Sequence, residues 1–228
     1  FFKNKFFITY FCVQNNFFMK AIDLFNHWAT LGKDSGMEYN HAKSVKYMLR
    51  LIPDRILMNS FSFLDVGCGN GWVVRKMQAH SNCNLAIGID GSKNMISKAI
   101  LNDSVSKYVQ LDLNNIVFNT KVDVVFSMEV FYYLDNPKQT IKYIIDNILN
   151  EQGILIIGLD HYKENSPSLS WPNDLNVHMH TYSINDWDKI LQELGLINIK
   201  TEQFGSKNEW SGTLILSGQK KLLSADIN

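Results

Sequence analysis

From residue 61 onward, short apolar runs alternate with segments whose apolar residues recur at helical spacing. The runs cover residues 61–66, 85–90, 108–111, 122–127 and 154–159. The helical segments between them end near residues 80, 102 and 149. A strand that is apolar along its whole length is covered on both faces, which is typical of parallel sheets between two helical layers. The pattern predicts a doubly wound, mostly parallel α/β fold.

The last third of the chain has a different pattern. A helix is expected over residues 183–194, with Ser183 as its N-cap and Gly195 just beyond its end. Two further strands follow at about residues 197–203 and 213–218. A late hairpin on an otherwise parallel sheet gives an antiparallel edge, so we predict a seven-stranded sheet with an antiparallel C-terminal edge hairpin.

Residues 19–58 are predicted to form an N-terminal helical lid, and residues 59–228 the main domain. A polar loop at 32–36 is expected to separate two lid helices, and Pro53 to end the second. Residues 1–18 are rich in Phe, and the first methionine is Met19. We therefore expect residues 1–18 to be a non-native or disordered extension.

Composition argues against several partners and compartments. Lys plus Arg equals Asp plus Glu, at 22 each, so no charge excess favours a nucleic acid. The longest uncharged apolar stretch near the N-terminus, residues 6–13, is too short to span a bilayer. Cys12, Cys68 and Cys83 have neither disulfide-framework nor CxxC metal spacing. We expect a cytoplasmic protein that binds no nucleic acid, membrane or metal.

The segment FLDVGCGNG at residues 63–71 contains the strongest motif. A strand ends at an acid, Asp65, and a glycine-rich turn through Gly67 and Gly69 opens a helix. Glycines let a backbone approach a ligand closely. The third glycine of a dinucleotide fingerprint is absent, because Trp72 or Val74 stands there. An acid before the turn would repel pyrophosphate but suits a cationic, amino-bearing ligand. The alternative is an ordinary strand-to-helix turn.

Two further acids follow the next two strands. Asp90 ends the second strand and can accept hydrogen bonds from both hydroxyls of a ribose. Asp112 follows the third strand and can accept from an adenine amino group. Taken singly, Asp90 could be a helix cap and Asp112 a solvated loop acid. Acids after three consecutive strands are hard to explain by turn chemistry alone.

With these motifs the chain resembles the class I S-adenosylmethionine-dependent methyltransferase family over residues 61–160, with compatible topology to the C-terminus. The resemblance implies S-adenosylmethionine as cofactor. Asp65 and the Gly67-Cys68-Gly69 turn would flank its methionine part, and Asp90 its ribose. The other cofactor-binding residues that the resemblance implies are Gly91, Met95, Asp112, Leu113, Ser127 and Met128. Replacing Gly67 or Gly69 by Val is expected to abolish cofactor binding while the fold largely survives.

The segment SMEVFYYL at residues 127–134 resembles the stretch after strand four of small-molecule methyltransferases, where the methyl meets its acceptor. Glu129, Tyr132 and Tyr133 are therefore expected in the acceptor pocket. Many relatives have a His near this position, and this chain does not. It also lacks the Asn/Asp-Pro-Pro-Tyr segment of amino-methylating DNA enzymes and the Pro-Cys nucleophile of cytosine C5 enzymes.

Two segments outside the sheet pattern, 20–41 and 161–182, are predicted to close over the strand ends as lid and cap. Within them, Trp28 either packs between helices or contacts the sulfonium, and His41 is a pocket residue or a solvated helix start. His178 and His180 could ligate a metal, but no acid or Cys pattern accompanies them. We expect Glu129, Tyr133, His41 and His178 to act on the acceptor.

The sequence thus predicts a monomeric or homodimeric methyltransferase acting on O, N or S of a small molecule. Methyl transfer requires alignment and exclusion of water, and it requires a base only if the acceptor must lose a proton. Two alternatives stay open. One is a module that binds the cofactor without catalysis, and the other is a protein or RNA methyltransferase.

Overall fold

The structure is a computed structural model, and it describes residues 18–222. A seven-stranded sheet has the order β3-β2-β1-β4-β5-β7-β6. Its strands are β1 Phe61–Val66, β2 Cys83–Asp90, β3 Lys107–Gln110, β4 Val122–Met128, β5 Leu149–Leu159, β6 Ile197–Phe204 and β7 Thr213–Gln219. The sequence pattern located each of these strands to within a few residues.

Eight α-helices accompany the sheet in the described part of the chain. They are α1 Ala21–Thr30, α2 Asp34–Met48, α3 Asp54–Leu57, α4 Trp72–Gln78, α5 Lys93–Asn102, α6 Pro137–Tyr143, α7 Trp171–Leu175 and α8 Ile184–Glu193. Ser183 caps α8 as predicted, because its hydroxyl accepts from the Asp186 N–H while the Asp186 carboxylate accepts from the Ser183 N–H in return.

Strands β1 to β5 are all parallel, and β7 runs antiparallel to both of its neighbours. Alternate residues of β1 enter two different cores. Leu64 and Val66 pack on one face of the sheet with Trp187, while Phe61 and Phe63 pack on the other. Burial on both faces explains the continuous apolar runs. The predicted fold class is confirmed, and β7 lies inside the sheet, between β5 and β6.

The structure corrects three local predictions. The loop between α1 and α2 is shorter than the predicted 32–36, because α2 already begins at Asp34. Gly32, with φ 70°, makes the turn between the two helices. Helix α2 ends at Met48, earlier than expected, and continues as a 3-10 turn to Leu51; Ile52, the residue before Pro53, is already extended. Strand β5 begins at Leu149, five residues before the predicted start at 154, with a register irregularity against β4.

The predicted lid helices rest on the sheet domain through specific polar contacts. The Asn26 side-chain oxygen accepts from the Ser92 hydroxyl at 2.8 Å and from the Asn94 N–H at 3.1 Å. Just before α1, the Met19 N–H donates to the Asn176 oxygen at 2.7 Å. These contacts bring residues 19–30 and the segment 161–182 to the same side of the sheet. The boundary at residues 58 and 59 stays a prediction.

The predicted extension lies outside the described residues except for Phe18, and so does Cys12. Among the described residues, no helix is long and apolar enough to cross a membrane.

Candidate active site

A cavity of about 1370 Å³ opens at the carboxyl ends of the parallel strands. Its floor is formed by the residues that follow β1, β2, β4 and β5, as ligand sites in open α/β sheets are. Its walls come from α1, α2 and the segment 161–182, which contributes Trp171, Val177 and His178. The two segments predicted as lid and cap therefore meet over the strand ends.

The glycine-rich turn forms one side of this floor. Gly67 and Gly69 adopt φ 79° and 53°, a region that side-chain-bearing residues rarely enter. The N–H groups of Gly67 and Cys68 both donate to the Ile89 carbonyl, at 2.7 and 3.0 Å, which ties the turn to β2. A Cβ on Gly67 would lie 2.1 Å from Val130 Cγ2, whereas a Cβ on Gly69 would meet no atom within 4 Å. Gly69 thus faces open space.

Asp90 stabilises this turn. Its two carboxylate oxygens accept from the Gly69 N–H at 2.9 Å and from the Ser92 N–H at 2.7 Å. The N-cap of α5 is Ser92, whose hydroxyl accepts from the Met95 N–H, so the alternative of Asp90 as a helix cap is wrong. Each oxygen keeps acceptor capacity for a ligand in the cavity. Gly91 lies directly beneath α1, because a Cβ there would meet Ile22 at 2.7 Å.

Asp65 lies at the centre of the floor and is 3% exposed. Burial, and secondarily the nearby charge of Asp90, raises the pKa of Asp65 well above its usual range. The same burial raises the pKa of Asp90. Asp65 is buried and Asp90 partly buried, and no lysine or arginine in residues 18–222 forms an ion pair with either, so the desolvated charges are costly unless a positive ligand group joins them. The floor is therefore suited to a cation.

The other predicted cofactor residues occupy different environments. Met95 and Leu113 are buried and line the cavity, as do Cys68, Met128 and Gly91. Asp112 also lines it but is exposed, and its carboxylate caps the turn at Asn114 at 3.0 Å. Ser127 is buried within the sheet, where its hydroxyl donates to the Val66 carbonyl at 2.8 Å. The hydroxyl of Ser127 thus joins β1 to β4, which does not fit the ligand-binding part predicted for it.

Glu129 directly follows β4 in an unusual conformation. Its φ is 64°, a strained value for a residue other than glycine, and its N–H donates to Gly158 at 2.9 Å. The Tyr132 hydroxyl donates to one carboxylate oxygen at 2.7 Å, and the Asp160 N–H donates to the other. Burial, and then the nearby Asp160 charge, raises the pKa of Glu129 well above its usual range. Backbone strain often marks functional sites.

Asp160 and His41 complete a cluster with Glu129. The His41 Nδ1 lies 3.6 Å from Asp160 Oδ2, and one ligand atom from each of the three residues lies within 4.8 Å of the others. Burial lowers the pKa of His41 and raises that of Asp160, against their mutual attraction. The sequence analysis missed Asp160, although the signal was there: Asp160 follows strand five as Asp65, Asp90 and Asp112 follow or end strands one to three.

Aromatic side chains also line the cavity. The rings of Phe25 and Tyr133 meet edge to face at 5.3 Å, and those of Phe25 and Trp28 at 5.5 Å. Lys33 Nζ lies 5.2 Å from the Trp28 ring centre. Both interpretations of Trp28 thus have support, since it packs on Phe25 and also lines the cavity.

The histidines of the cap segment serve different purposes. His161 is fully buried, and its ring nitrogens contact the Ser168 oxygen and the Thr181 hydroxyl, so it holds the cap together. His178 is exposed at the cavity rim, beside Phe18. Its ring lies 4.8 Å from that of His180. Among the described residues, the group able to hold an ion includes neither of these two.

Another polar contact joins the lid to the glycine turn, and no sequence pattern indicated it. Asp34 in α2 is buried, accepts from Asn70 at 3.1 Å and pairs with Lys98 of α5 at 2.5 Å. This contact bridges three segments that are far apart in the chain. It lowers the pKa of Asp34 in spite of burial.

Comparison with known proteins agrees with this geometry. The family described as "Methyltransferase domain" matches residues 22–201. A Haloferax volcanii protein solved in complex with the Trm112 methyltransferase activator is 24% identical, with a TM-score of 0.75, over 87% of this chain and 98% of that one.

Two bacterial structures are also similar. The N-methyltransferase NodS from Bradyrhizobium japonicum, solved with S-adenosyl-L-homocysteine, is 19% identical with a TM-score of 0.62, over 78% of this chain and 86% of that one. A methyltransferase from Mesorhizobium loti is 16% identical with a TM-score of 0.65, over 77% of this chain and 96% of that one. At these identities the structural likeness establishes the fold.

Proposed function

This chain belongs to the methyltransferase-domain family as an S-adenosylmethionine-dependent enzyme of class I, and we propose that it methylates a small molecule held between lid and sheet. The observation that carries the proposal is the cavity itself. Its volume of about 1370 Å³ exceeds what one ligand usually needs, roughly 300–1,000 Å³, so it has room for a cofactor and an acceptor.

The cofactor fits one half of this cavity. Open space above Gly69 admits a ligand against bare backbone, and the buried Asp65 offers an anion to its ammonium group. Asp90 has acceptor capacity for the ribose hydroxyls, while Met95 and Leu113 supply apolar contacts for a flat ring. When bound, S-adenosylmethionine supplies an electrophilic methyl group on a sulfonium.

The acceptor half is lined by Glu129, Tyr133, His41 and the aromatic residues of α1. Helices α1 and α2 and the cap segment wall this half and reduce its contact with water, while the strand ends align the reactants. In this proposal His178, which is exposed and lines the cavity, contacts the acceptor as it enters. A cavity walled on several sides favours a small acceptor over a folded RNA or protein.

Two measurements test the proposal. Calorimetry with S-adenosyl-L-homocysteine is expected to show binding, and labelled S-adenosylmethionine is expected to transfer its methyl group to a component of a metabolite extract. Binding without transfer would favour the non-catalytic module. Label recovered in RNA or protein, with none in small molecules, would favour the other alternative.

A protein partner is supported by a separate observation. The Haloferax volcanii relative in fold is held by the Trm112 activator, and here β3 ends the sheet with a free edge. Exposed aliphatic side chains cluster on and beside that edge: Ile100, Leu101, Val105 and Val109. A free edge next to an apolar surface is suited to pairing with another chain. We therefore extend the proposal to an activator of the Trm112 kind bound at β3.

Size-exclusion chromatography after co-expression of this chain with a Trm112 protein from its own source organism tests this partner. We expect a stable complex. Val109→Lys should disrupt it, and the matched change Ile197→Lys on the opposite edge should leave it intact. Co-elution unaffected by Val109→Lys would place the interface elsewhere, and failure to co-elute would refute the partner.

A further inference from the structure

We propose that Glu129, Asp160 and His41 bind the amino group of the acceptor, so that the enzyme methylates the nitrogen of an amine. This inference rests on the proposed function and names its substrate class. The three side chains come from the end of β4, the end of β5 and helix α2, and they meet at the acceptor end of the cavity.

The first argument is an unsatisfied oxygen. Asp160 is 6% exposed, and its Oδ1 has no hydrogen-bond partner among the described residues. Buried carboxylate oxygens are normally paired, and an orphaned one at a cavity wall indicates that a donor is missing. The Thr213 hydroxyl donates to this carboxyl group, and its Oδ2 lies 3.6 Å from His41 Nδ1, beyond a normal hydrogen bond. The Asp160 carboxylate therefore has capacity for a donor from a ligand.

The second argument is charge. Glu129 and Asp160 are two acids in contact, since the Asp160 N–H donates to the Glu129 carboxylate. Within the described part of the chain, the basic group paired with either of them is His41, and burial lowers its pKa. No lysine or arginine among the described residues forms an ion pair with them. Acids desolvated in this way favour a bound cation.

An ammonium group matches both the charge and the donors. It carries up to three N–H groups and no acceptor, and the cluster offers acceptor oxygens from two carboxylates. The aromatic wall of Phe25, Trp28 and Tyr133 adds attraction for a cation and apolar contact for the rest of the molecule. An alcohol or thiol donates a single hydrogen and carries no charge, so it matches this acidic cluster less well than an ammonium group does.

A divalent metal is the competing occupant. The described residues offer one atom from each of three side chains, and both Glu129 oxygens already accept hydrogen bonds, from Tyr132 and from the Asp160 N–H. Three protein ligands are enough for a catalytic zinc site when water completes the coordination, but each ligand atom must then be free to bind the ion. Because both Glu129 oxygens are already engaged, we favour the amine, which needs the unpaired Asp160 oxygen and the charge of the cluster.

The chemistry then balances. The bound ammonium gives one proton to the neutral imidazole of His41, and the freed nitrogen lone pair forms a bond to the methyl carbon. The bond from that carbon to sulfur breaks with its electron pair left on sulfur, so the positive charge passes to the N-methylammonium product. His41 later releases its proton to water. Asp160 holds the nitrogen throughout and stabilises the imidazolium.

Binding of matched amine and alcohol pairs tests the inference. Propylamine and propanol, 2-phenylethylamine and 2-phenylethanol, and tryptamine and tryptophol are titrated into the full chain saturated with S-adenosyl-L-homocysteine. At least one amine is expected to bind tenfold or more tightly than its alcohol, as a charge-assisted hydrogen bond implies. Asp160→Asn should remove that preference, and Glu193→Gln, an exposed acid on α8, should keep it.

The outcomes separate the two proposals. If S-adenosyl-L-homocysteine itself fails to bind, the proposed function fails. If it binds but no amine is preferred over its alcohol, only the amine inference is overturned. The amine inference is also overturned if NMR shows that the methylated component of the metabolite extract carries its new methyl group on oxygen or sulfur. It is likewise overturned if EDTA abolishes amine binding and Mg²⁺ restores it. Comparing the pairs on the unmodified chain keeps the test valid even if Asp160→Asn does not fold.

Discussion

Replacing Gly67 and Gly69 separately by Ala should have different consequences, although both glycines lie in one turn with positive φ. An L-residue in the left-handed region costs roughly 1–2 kcal/mol, and both variants bear that strain. At Gly67 the new Cβ would also lie 2.1 Å from Val130 Cγ2, far inside a normal carbon contact. Relieving such an overlap costs about 1–3 kcal/mol more.

The free energy of unfolding should therefore fall by roughly 2–5 kcal/mol in Gly67→Ala and by roughly 1–2 kcal/mol in Gly69→Ala. For a chain of this length, these changes correspond to decreases in Tm of roughly 4–20 °C and roughly 2–8 °C. Gly69→Ala places its methyl group in the open space above the turn, where we propose that the cofactor binds. Its affinity for S-adenosyl-L-homocysteine should drop at least about tenfold, with the fold retained.

Thermal unfolding and calorimetry on the two variants check this reasoning. Gly195→Ala is the matched control, because Gly195 has φ 77° and open space around its Cβ but follows α8, outside the cavity lining. It should lose stability like Gly69→Ala and keep full affinity. Equal Tm values for the Gly67 and Gly69 variants, or wild-type affinity in Gly69→Ala, would refute the reasoning. The expectation from sequence that a Gly67 variant keeps its fold is revised accordingly.

Three further predictions follow from single contacts. Asp90→Ala should weaken S-adenosyl-L-homocysteine binding by roughly 1.5–3 kcal/mol by calorimetry, and unchanged affinity would limit Asp90 to supporting the turn. Because burial raises the pKa of Asp65, S-adenosylmethionine affinity should fall as pH decreases through that raised pKa and should level off above it. A flat pH profile, or one that Asp65→Asn does not abolish, would contradict this assignment. Asn26→Ala removes two acceptor contacts to Ser92 and Asn94, so hydrogen exchange in α1 should accelerate with little change in Tm. Thr30→Ala, whose hydroxyl bonds within α1 alone, is its control, and equal exchange in the two variants would show that α1 is held by apolar packing.

The sequence by itself determined the parallel sheet and the edge of that sheet at which the cavity opens. Continuous apolar runs require burial on both faces, and acids placed after parallel strands must share one edge. Strand β1 at Phe61–Val66 was predicted to the residue, and the floor of Asp65, Asp90 and the glycine turn followed from the same pattern. Such inferences succeed because strand period and turn chemistry are local properties of the chain.

Only the tertiary structure placed Asp160 beside His41 and Glu129, two residues that the sequence analysis had already predicted to act on the acceptor. His41, Glu129 and Asp160 are distant in sequence, and they meet because α2 lies across the ends of β4 and β5. Ser127 and Glu129 are two positions apart, yet one joins two strands while the other faces the cavity, because Glu129 leaves the strand conformation at φ 64°. The direction of a side chain after a strand depends on the backbone turn and the packing around it, and neither is written in the local sequence pattern.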